Sequence, residues 1–241
     1  MTRQARNGVT RYWAVVPAAG GGTRMNLGRP KQYVELRART LLEWSVAPFL
    51  DLGWIDGVVL VLARNDGEYA RLPLSRHPRV HTAIGGAARA ESVLAGLAVV
   101  AEHSRGFRDV RVLVHDAARP CVARSDIERL RDEADERHGG LLALPLTDTL
   151  KRSQHNRSVE TLDRREFWRA QTPQLFGLEA LRAALRESID AGIEVTDEAS
   201  AMERAGVQPR LVRGRESNIK VTFPEDLRLA DFWLARQEQA P

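Results

Sequence analysis

Short apolar runs alternate with amphipathic stretches along the chain, and this alternation predicts an α/β protein. Several of the runs are continuous, which is typical of parallel strands that are covered on both faces. The predicted strands are 13–16, 58–62, 80–84, 111–115, 141–146 and 210–213. The predicted helices are 41–50, 68–72, one ending near 102, 125–138, 178–191 and two more that begin near 196 and 222. Strands and helices take turns, so we expect a mostly parallel, doubly wound sheet.

Capping signals mark where several helices begin. The tetrapeptides T-L-L-E from Thr40 and S-D-I-E from Ser125 have the pattern of capping boxes. Thr196 is followed by two acids, so its hydroxyl either caps a helix or binds a substrate phosphate. Thr222 is expected to start the last helix, with Pro224 in its first turn.

One segment departs from the α/β pattern. Alternating stretches at 147–152 and 158–162 flank a polar turn at 153–157, which predicts a β-hairpin that leaves the body. An isolated two-stranded hairpin is marginally stable in water, which favours packing of this arm, roughly 147–168, against another subunit. No linker of Pro and Ser divides the chain, so residues 1–241 are predicted to form a single domain.

Composition narrows the class of protein. With 43% hydrophobic and 28% charged residues, the chain has the composition of a soluble globular protein. Its apolar runs are too short to cross a bilayer, so we expect no membrane partner and a cytoplasmic location. The net charge of +4 is modest and acids are interleaved with bases, which argues against nucleic-acid binding. The single cysteine, Cys121, excludes an internal disulfide.

The first predicted strand leads into a glycine-rich loop that contains Gly20 and Gly22. Glycines let several backbone N–H groups approach one anion, and the cations Arg24 and Lys31 follow closely. Neither the P-loop pattern nor the dinucleotide fingerprint fits, because no glycine precedes a lysine and Met25 stands where the fingerprint needs a small residue. The loop therefore predicts a phosphate site of another kind.

Lysine is rare in this chain. Only Lys31, Lys151 and Lys220 are lysines among 36 basic residues, so a position that keeps lysine either needs a compact point charge or kept it by chance. Lys31 and Lys220 lie in motif-like stretches, which favours a functional role for these two.

Two further strand ends carry candidate site residues. The sequence G-G-A-A-R-A-E-S after strand 80–84 is either a plain helix entrance or a binding site for base and ribose that includes Ser92. Asp116 directly follows a buried strand, where it either caps a turn or helps to hold Mg²⁺. Arg119 either pairs with Asp116 or reaches a substrate.

Taken together in order, the motifs resemble those of the 2-C-methyl-D-erythritol 4-phosphate cytidylyltransferase family. They are P-A-A-G-G-G-T-R-M, P-K-Q-Y, G-G-x-x-R-x-x-S-V, V-H-D-A-A-R-P, A-Q-T-P-Q, T-D-E-A-S and N-I-K-V-T. The resemblance implies a Rossmann-like nucleotidyltransferase fold, a homodimer interlocked by the hairpin arm, and Mg²⁺ dependence. It also implies the substrates CTP and methylerythritol phosphate.

The resemblance also assigns site residues by motif. It places the triphosphate on Ala18, Ala19, Gly20, Gly22, Arg24 and Lys31. It places cytosine and ribose on Gly86, Ala87, Ser92 and Ala117. It places the acceptor on Asp116, Thr196 and Lys220, and on Arg164 and Thr172 of the partner subunit. One departure is Ala87, because many relatives have an acid there.

The implied reaction is attack by a phosphate oxygen of the acceptor on the α-phosphorus of CTP. Arg24 and Lys31 would neutralise the triphosphate, while Lys220 and Arg164 would hold the attacking phosphate in line. Two alternatives stay open at this point. One is a cytidylyltransferase for another polyol phosphate such as ribitol 5-phosphate, and the other is a nucleotide-binding regulatory module without chemistry.

Overall fold

The computed structural model describes residues 9–20 and 29–239. The strands in this part of the chain are β1 Arg11–Pro17, β2 Glu35–Leu36, β3 Arg39–Thr40, β4 Ile55–Leu62, β5 Val80–Ile84, β6 Val110–Val114, β7 Gly140–Pro145, β8 Leu150–Gln154, β9 Arg157–Leu162, β10 Trp168–Gly177 and β11 Arg210–Arg213. The helices are α1 Leu41–Asp51, α2 Arg89–His103, α3 Arg124–Glu133, α4 Leu178–Asp190, α5 Glu198–Arg204 and α6 Asp226–Gln239.

The central sheet has seven strands in the order β11-β7-β10-β6-β1-β4-β5. The pairings of β1 with β4 and β6, of β4 with β5, and of β7 with β11 are parallel. β10 runs antiparallel to both of its neighbours, β6 and β7. The predicted mostly parallel, doubly wound α/β fold is confirmed.

Both faces of the sheet are covered, as the continuous apolar runs predicted. Ala14 and Val16 of β1 pack towards α1 and α3, whereas Val15 packs on the opposite face towards α2 and α4. Residues of a strand alternate between its two faces, so a run that is apolar at every position can fill two cores at once. A smaller cluster under α6 contains the buried Cys121.

Two of the predicted helices, 125–138 and 68–72, are shorter in the structure. α3 begins after Ala123 without a capping side chain, because the Ser125 hydroxyl accepts a hydrogen bond from Arg215 instead. It stops at Glu133 rather than near 138. Beyond it, the Asp135 carboxylate accepts hydrogen bonds from the backbone N–H groups of Arg137 and His138 in a turn. The stretch 68–72 forms a single 3-10 turn, Tyr69–Arg71.

The last helix also starts later than predicted. α6 begins at Asp226, whose carboxylate accepts hydrogen bonds from the backbone N–H groups of Thr222 and Phe223 at 2.8 Å each. Pro224 therefore precedes the helix. The capping box at Thr40 is confirmed, because its hydroxyl and the Glu43 carboxylate bond each other's backbone N–H groups.

The predicted hairpin is present as β8 and β9, which form a separate two-stranded sheet. His155 and Asn156 both have positive φ, at 49° and 60°, which is the backbone of a tight hairpin turn. Most of the hairpin side chains are exposed. No helix in the described part of the chain is both long and apolar enough to cross a membrane.

Candidate active site

A cavity of about 330 Å³ lies at the carboxyl edge of the sheet, beyond the ends of β1, β5 and β6. The chain runs outward from β1 through β4 to β5 and then crosses to β6 on the other side of β1. Loops part at such a switch point, which makes it the usual ligand site of an open α/β sheet. The cavity collects these predicted residues: Ala18, Ala19, Gly20, Lys31, Gly86, Ala87, Ser92, Asp116, Ala117 and Lys220. Gly22 and Arg24 lie outside the described residues.

The first loop is fixed where it leaves β1. The N–H of Ala18 donates to the Val61 carbonyl at 2.8 Å, and its carbonyl accepts from the Gln32 amide at 2.7 Å. No described atom lies within 4 Å of where a Cβ on Gly20 would stand. The described residues, apart from the chain neighbours of Gly20, therefore leave open space where its side chain would stand.

Lys31 reaches this cavity from a short 3-10 turn, Lys31–Tyr33, that follows Pro30. Its ammonium donates to the Val221 carbonyl at 2.9 Å. This bond joins the first loop to the segment before α6, so the charge of Lys31 is held at the cavity wall.

The second loop is held by Glu91, a residue of the first turn of α2. Its carboxylate accepts from the backbone N–H groups of Ala87 at 2.7 Å and Ala88 at 3.2 Å. A Cβ on Gly86 would lie 2.5 Å from the Glu91 side chain, so this arrangement requires glycine there. The N–H of Ala87 is thus already in use within the loop. The Ser92 hydroxyl donates to the Ala88 carbonyl at 3.1 Å.

Asp116 is the centre of a charged network. Its Oδ2 lies 2.9 Å from the Lys220 ammonium and 3.5 Å from Nε of Arg119, and its Oδ1 lies 3.3 Å from Nη2 of Arg89. Burial alone would favour the neutral acid, but Arg89, Lys220 and Arg119 outweigh it and hold the pKa of Asp116 well below its usual range. Arg119 was predicted either to pair with Asp116 or to reach a substrate, and the structure shows the pairing.

A second, smaller cavity of about 190 Å³ adjoins the first. It shares Arg89, Asp116 and Lys220 with the first cavity. It also includes the predicted acceptor residues Arg119, Thr172 and Thr196. Because three charged side chains line both cavities, ligands in the two would meet at this charged boundary.

Thr196 does not cap α5, so that half of its prediction is wrong. The cap is Asp197, whose carboxylate accepts from the N–H of Ser200 at 2.9 Å. Asp197 also accepts from the Gln174 amide at 2.8 Å. This second partner fixes the carboxylate in the capping position. Thr196 lines the second cavity, where its hydroxyl remains a candidate for binding a phosphate.

Thr172 is buried, and its hydroxyl takes part in an internal chain of hydrogen bonds. It accepts from the backbone N–H of Asp116 at 3.0 Å and lies 3.0 Å from Nδ1 of His115. Nε2 of His115 lies 3.1 Å from the Arg119 carbonyl. A neutral histidine with its proton on Nε2 satisfies all three contacts, since Thr172 then donates to Nδ1. Thr172 therefore positions Asp116 within its own subunit.

The buried His115 in this series of hydrogen bonds predicts how the stability of the fold depends on pH. Burial lowers the pKa of His115 from 6.5 to about 4. The unfolded chain then binds the proton first, so stability should fall as pH drops from 6.5 towards 4. Full protonation below that window costs about 3 kcal/mol, from roughly 1.4 kcal/mol per pKa unit. Chemical denaturation across this range measures the effect. His115→Gln, which can make the same two hydrogen bonds, should show a shallower loss, and an equally steep loss would remove His115 from the account.

Arg164 lies in a 3-10 turn at the base of the hairpin and lines neither cavity of its own chain. Its guanidinium donates to the Thr147 carbonyl within the arm. A role for Arg164 at a site thus depends on a second subunit, as the resemblance implied.

The resemblance implies Mg²⁺, which takes one or two carboxylates of a protein as ligands. No group of three His, Cys, Asp or Glu side chains that could hold a metal ion exists among residues 9–20 and 29–239. Both Asp116 oxygens face cationic groups, which repel a metal ion. The described residues therefore do not fit a metal held by the protein alone, and Asp116 as a metal ligand stays a prediction.

Sequence reasoning missed two charged residues of this site. Arg89 lines both cavities, and the fully buried Glu198 binds it from behind at 2.6 Å. Arg89 lies inside the quoted G-G-x-x-R motif, so the motif was a signal for it. Glu198 looked like an ordinary first-turn acid, and nothing in the sequence pairs it with a residue so distant in the chain.

The fold and the two adjoining cavities define an α/β nucleotidyltransferase. The family model of 2-C-methyl-D-erythritol 4-phosphate cytidylyltransferase matches residues 12–236. The chain belongs to this family, whose members are CTP-dependent enzymes of isoprenoid precursor synthesis by the methylerythritol phosphate pathway.

Individual relatives agree with the family match. A cytidylyltransferase of this name from Pseudomonas putida is 51% identical over 230 residues, which is 94% of this chain and 97% of the relative. One from Haemophilus ducreyi is 47% identical and covers 92% and 95% of the two chains. The solved structure of the Francisella tularensis enzyme superposes with a TM-score of 0.78 at 33% identity, over 93% of this chain and all of that one. A crystal structure of a 4-diphosphocytidyl-2C-methyl-D-erythritol synthase gives a TM-score of 0.81 at 36% identity, over 94% and 99%.

Proposed function

We propose that the two adjoining cavities are where this chain transfers CMP from CTP to 2-C-methyl-D-erythritol 4-phosphate, releasing pyrophosphate. The observation that carries the proposal is their shared wall of Arg89, Asp116 and Lys220. CTP in the larger cavity would present its α-phosphorus at this wall, and an acceptor phosphate in the smaller cavity would face it. The products are pyrophosphate and 4-diphosphocytidyl-2-C-methyl-D-erythritol.

Charge is the main obstacle to this reaction, because both reactants are anions. The attacking phosphate oxygen is already ionised at neutral pH, so no general base is needed. Lys31 and Arg24 would neutralise the triphosphate, while Lys220 would hold the attacking phosphate in line. Asp116 fixes the Lys220 ammonium at 2.9 Å, so the charge is positioned before the substrate arrives.

Recognition of the nucleotide is assigned to the two loops. The triphosphate would lie against Ala18, Ala19, Gly20 and Gly22, and the base and ribose against Gly86, Ala87, Ser92 and Ala117. The acceptor would contact Asp116, Arg119 and Thr196. Mg²⁺ stays the proposed metal on family grounds, and no step here depends on a metal ligand from the described residues. The cytoplasmic location also stays a prediction.

The homodimer is part of the proposal. Val159 of the hairpin is 52% exposed, and Phe167 and Trp168 at its base are 38% and 39% exposed. Apolar side chains exposed together on an arm support a partner surface. In a dimer the arm would bring Arg164 of the partner subunit to the acceptor cavity. Thr172 would then act from inside its own subunit, through Asp116, rather than across the interface.

Trans action by the arm has a direct test. Arg164→Ala and Lys31→Ala chains, each nearly inactive alone, are mixed and allowed to exchange subunits. Mixed dimers hold one intact site, so we expect the mixture to recover roughly a quarter of wild-type activity. Mixing two samples of the same variant is the control. A monomer in solution, or no recovery after verified exchange, would defeat the arm proposal.

The reaction itself is tested by pyrophosphate release. The chain is incubated with CTP and either methylerythritol phosphate or ribitol 5-phosphate, and release is compared with CTP alone. We expect release with methylerythritol phosphate only. Release with ribitol 5-phosphate would move the assignment to another polyol phosphate, and CTP binding without release would indicate a regulatory module.

A further inference from the structure

Arg89 at the shared wall of the two cavities is held from behind by Glu198. Nη1 of Arg89 lies 2.6 Å from Oε1 of Glu198, and Nη2 lies 3.1 Å from Oε2. These two parallel bonds fix the plane of the guanidinium. Nη2 also donates to Oδ1 of Asp116, at 3.3 Å. Arg89 therefore bridges two carboxylates and is bound more closely by Glu198.

Glu198 does not touch either cavity. Its side chain is fully buried at the first position of α5, and it is absent from the residues that line the two cavities. An ionised carboxylate so deeply buried is costly unless it is paired, and Arg89 is its partner. Whatever Glu198 does for the reaction, it must do through Arg89.

The geometry points to Glu198 as a positioning residue that keeps Arg89 from closing onto Asp116, so that Asp116 remains the partner of Lys220. Asp116 has cations on both oxygens, with Arg89 on Oδ1 and Lys220 and Arg119 on Oδ2. Without the charge of Glu198, the Arg89 fork is free to form a two-bond pair with Asp116. That pair would take the carboxylate away from Lys220 and release the ammonium that receives the acceptor phosphate.

This inference rests on the proposed function for its kinetic readout, and a second readout does not depend on turnover. In free protein the Lys220 ammonium lies 2.9 Å from Oδ2 of Asp116, and this contact should slow its reaction with an amine-acylating reagent. Glu198→Gln keeps the shape of the side chain and removes its charge. We expect acylation of Lys220 in this variant to rise several-fold relative to the exposed Lys151 in the same chain, as measured by peptide mass spectrometry.

In steady-state kinetics, Glu198→Gln should raise KM for methylerythritol phosphate about tenfold, the loss expected for one displaced charge-assisted contact. KM for CTP should change less than about twofold, since Glu198 binds Arg89 and none of the other residues assigned to the triphosphate, base and ribose. Asp126→Asn is the matched control. Asp126 is also a fully buried carboxylate, pairs with Arg129 and Arg215, and lines neither cavity. This control should leave both KM values and Lys220 acylation unchanged.

A double-mutant cycle with Arg89→Gln shows whether Glu198 works through Arg89. If it does, adding Glu198→Gln to Arg89→Gln changes KM for the acceptor little further. Additive effects, a parallel rise of both KM values, or unchanged Lys220 acylation would overturn the inference. If Glu198→Gln does not fold, Glu198→Asp replaces it, because the shorter side chain cannot hold both guanidinium nitrogens of Arg89 and leaves the fork free to turn onto Asp116. The same acceptor-specific rise is then expected, and a wild-type KM would overturn the inference. Changed acylation in a protein without turnover would instead contradict the proposed function alone.

Discussion

Lys31→Ala is expected to lower kcat by about a hundred- to thousandfold, the usual cost of losing one preorganised donor to a transition state. Lys31 lines the larger cavity, and its ammonium donates a hydrogen bond to the Val221 carbonyl at 2.9 Å. In the proposed binding mode of CTP, this position is where charge would build up on the leaving pyrophosphate. Steady-state pyrophosphate release measures the loss, and circular dichroism shows that the fold survives.

Two further variants make this prediction specific. Lys31→Arg should recover only part of the activity, because the guanidinium is larger and its planar fork does not replace a compact ammonium. Arg105→Ala removes a cation whose side chain is 80% exposed and lies far from the nucleotide loops in the fold, so it should keep full activity. Near-normal turnover of Lys31→Ala would remove Lys31 from the catalytic residues.

Lys220→Ala is expected to lower kcat/KM for the acceptor by a similar factor, about a hundred- to thousandfold. Its ammonium is positioned by Asp116 and lines both cavities, so it is the cation best placed to hold the attacking phosphate. The affinity for CTP alone, measured by calorimetry, should fall much less.

The contrast between the two lysine variants is the informative result. Lys31→Ala should weaken binding of CTP, whereas Lys220→Ala should mainly weaken use of the acceptor. If Lys220→Ala instead lost CTP affinity and kept its KM for the acceptor, the assignment of the smaller cavity to the acceptor would be wrong.

The sequence predicted those parts of the fold that depend on local patterns. β1 and β4 were found because an uninterrupted apolar run has one common explanation in an α/β protein, which is a strand buried on both faces. The hairpin was found because its polar turn lies between two alternating strands. The start of α1 was predicted correctly, because Thr40 is capped by the nearby Glu43. The start of α3 was predicted wrongly at Ser125, because the Ser125 hydroxyl binds Arg215, which is distant in the sequence.

The same distinction holds for the candidate site. Gly20 and Asp116, which the motifs place at strand ends, line the larger of the two cavities. The partners that give these residues their geometry were not predictable. Glu198 binds Arg89 across 109 positions of sequence, and His115 supports Asp116 through Thr172, 57 positions away. Contacts of this range arise from the packing of the sheet, and no periodicity or spacing in a single sequence encodes them.

A crystal structure of this chain with CTP is the most direct test of the central claim, which is that the loop after β1 and the loop after β5 bind one nucleotide. The account predicts the triphosphate against residues 18–20 and Lys31, the cytosine beside Gly86 and Ser92, and the α-phosphorus facing Asp116 and Lys220. CTP bound elsewhere on the molecule, or a vacant cavity at saturating CTP, would contradict it.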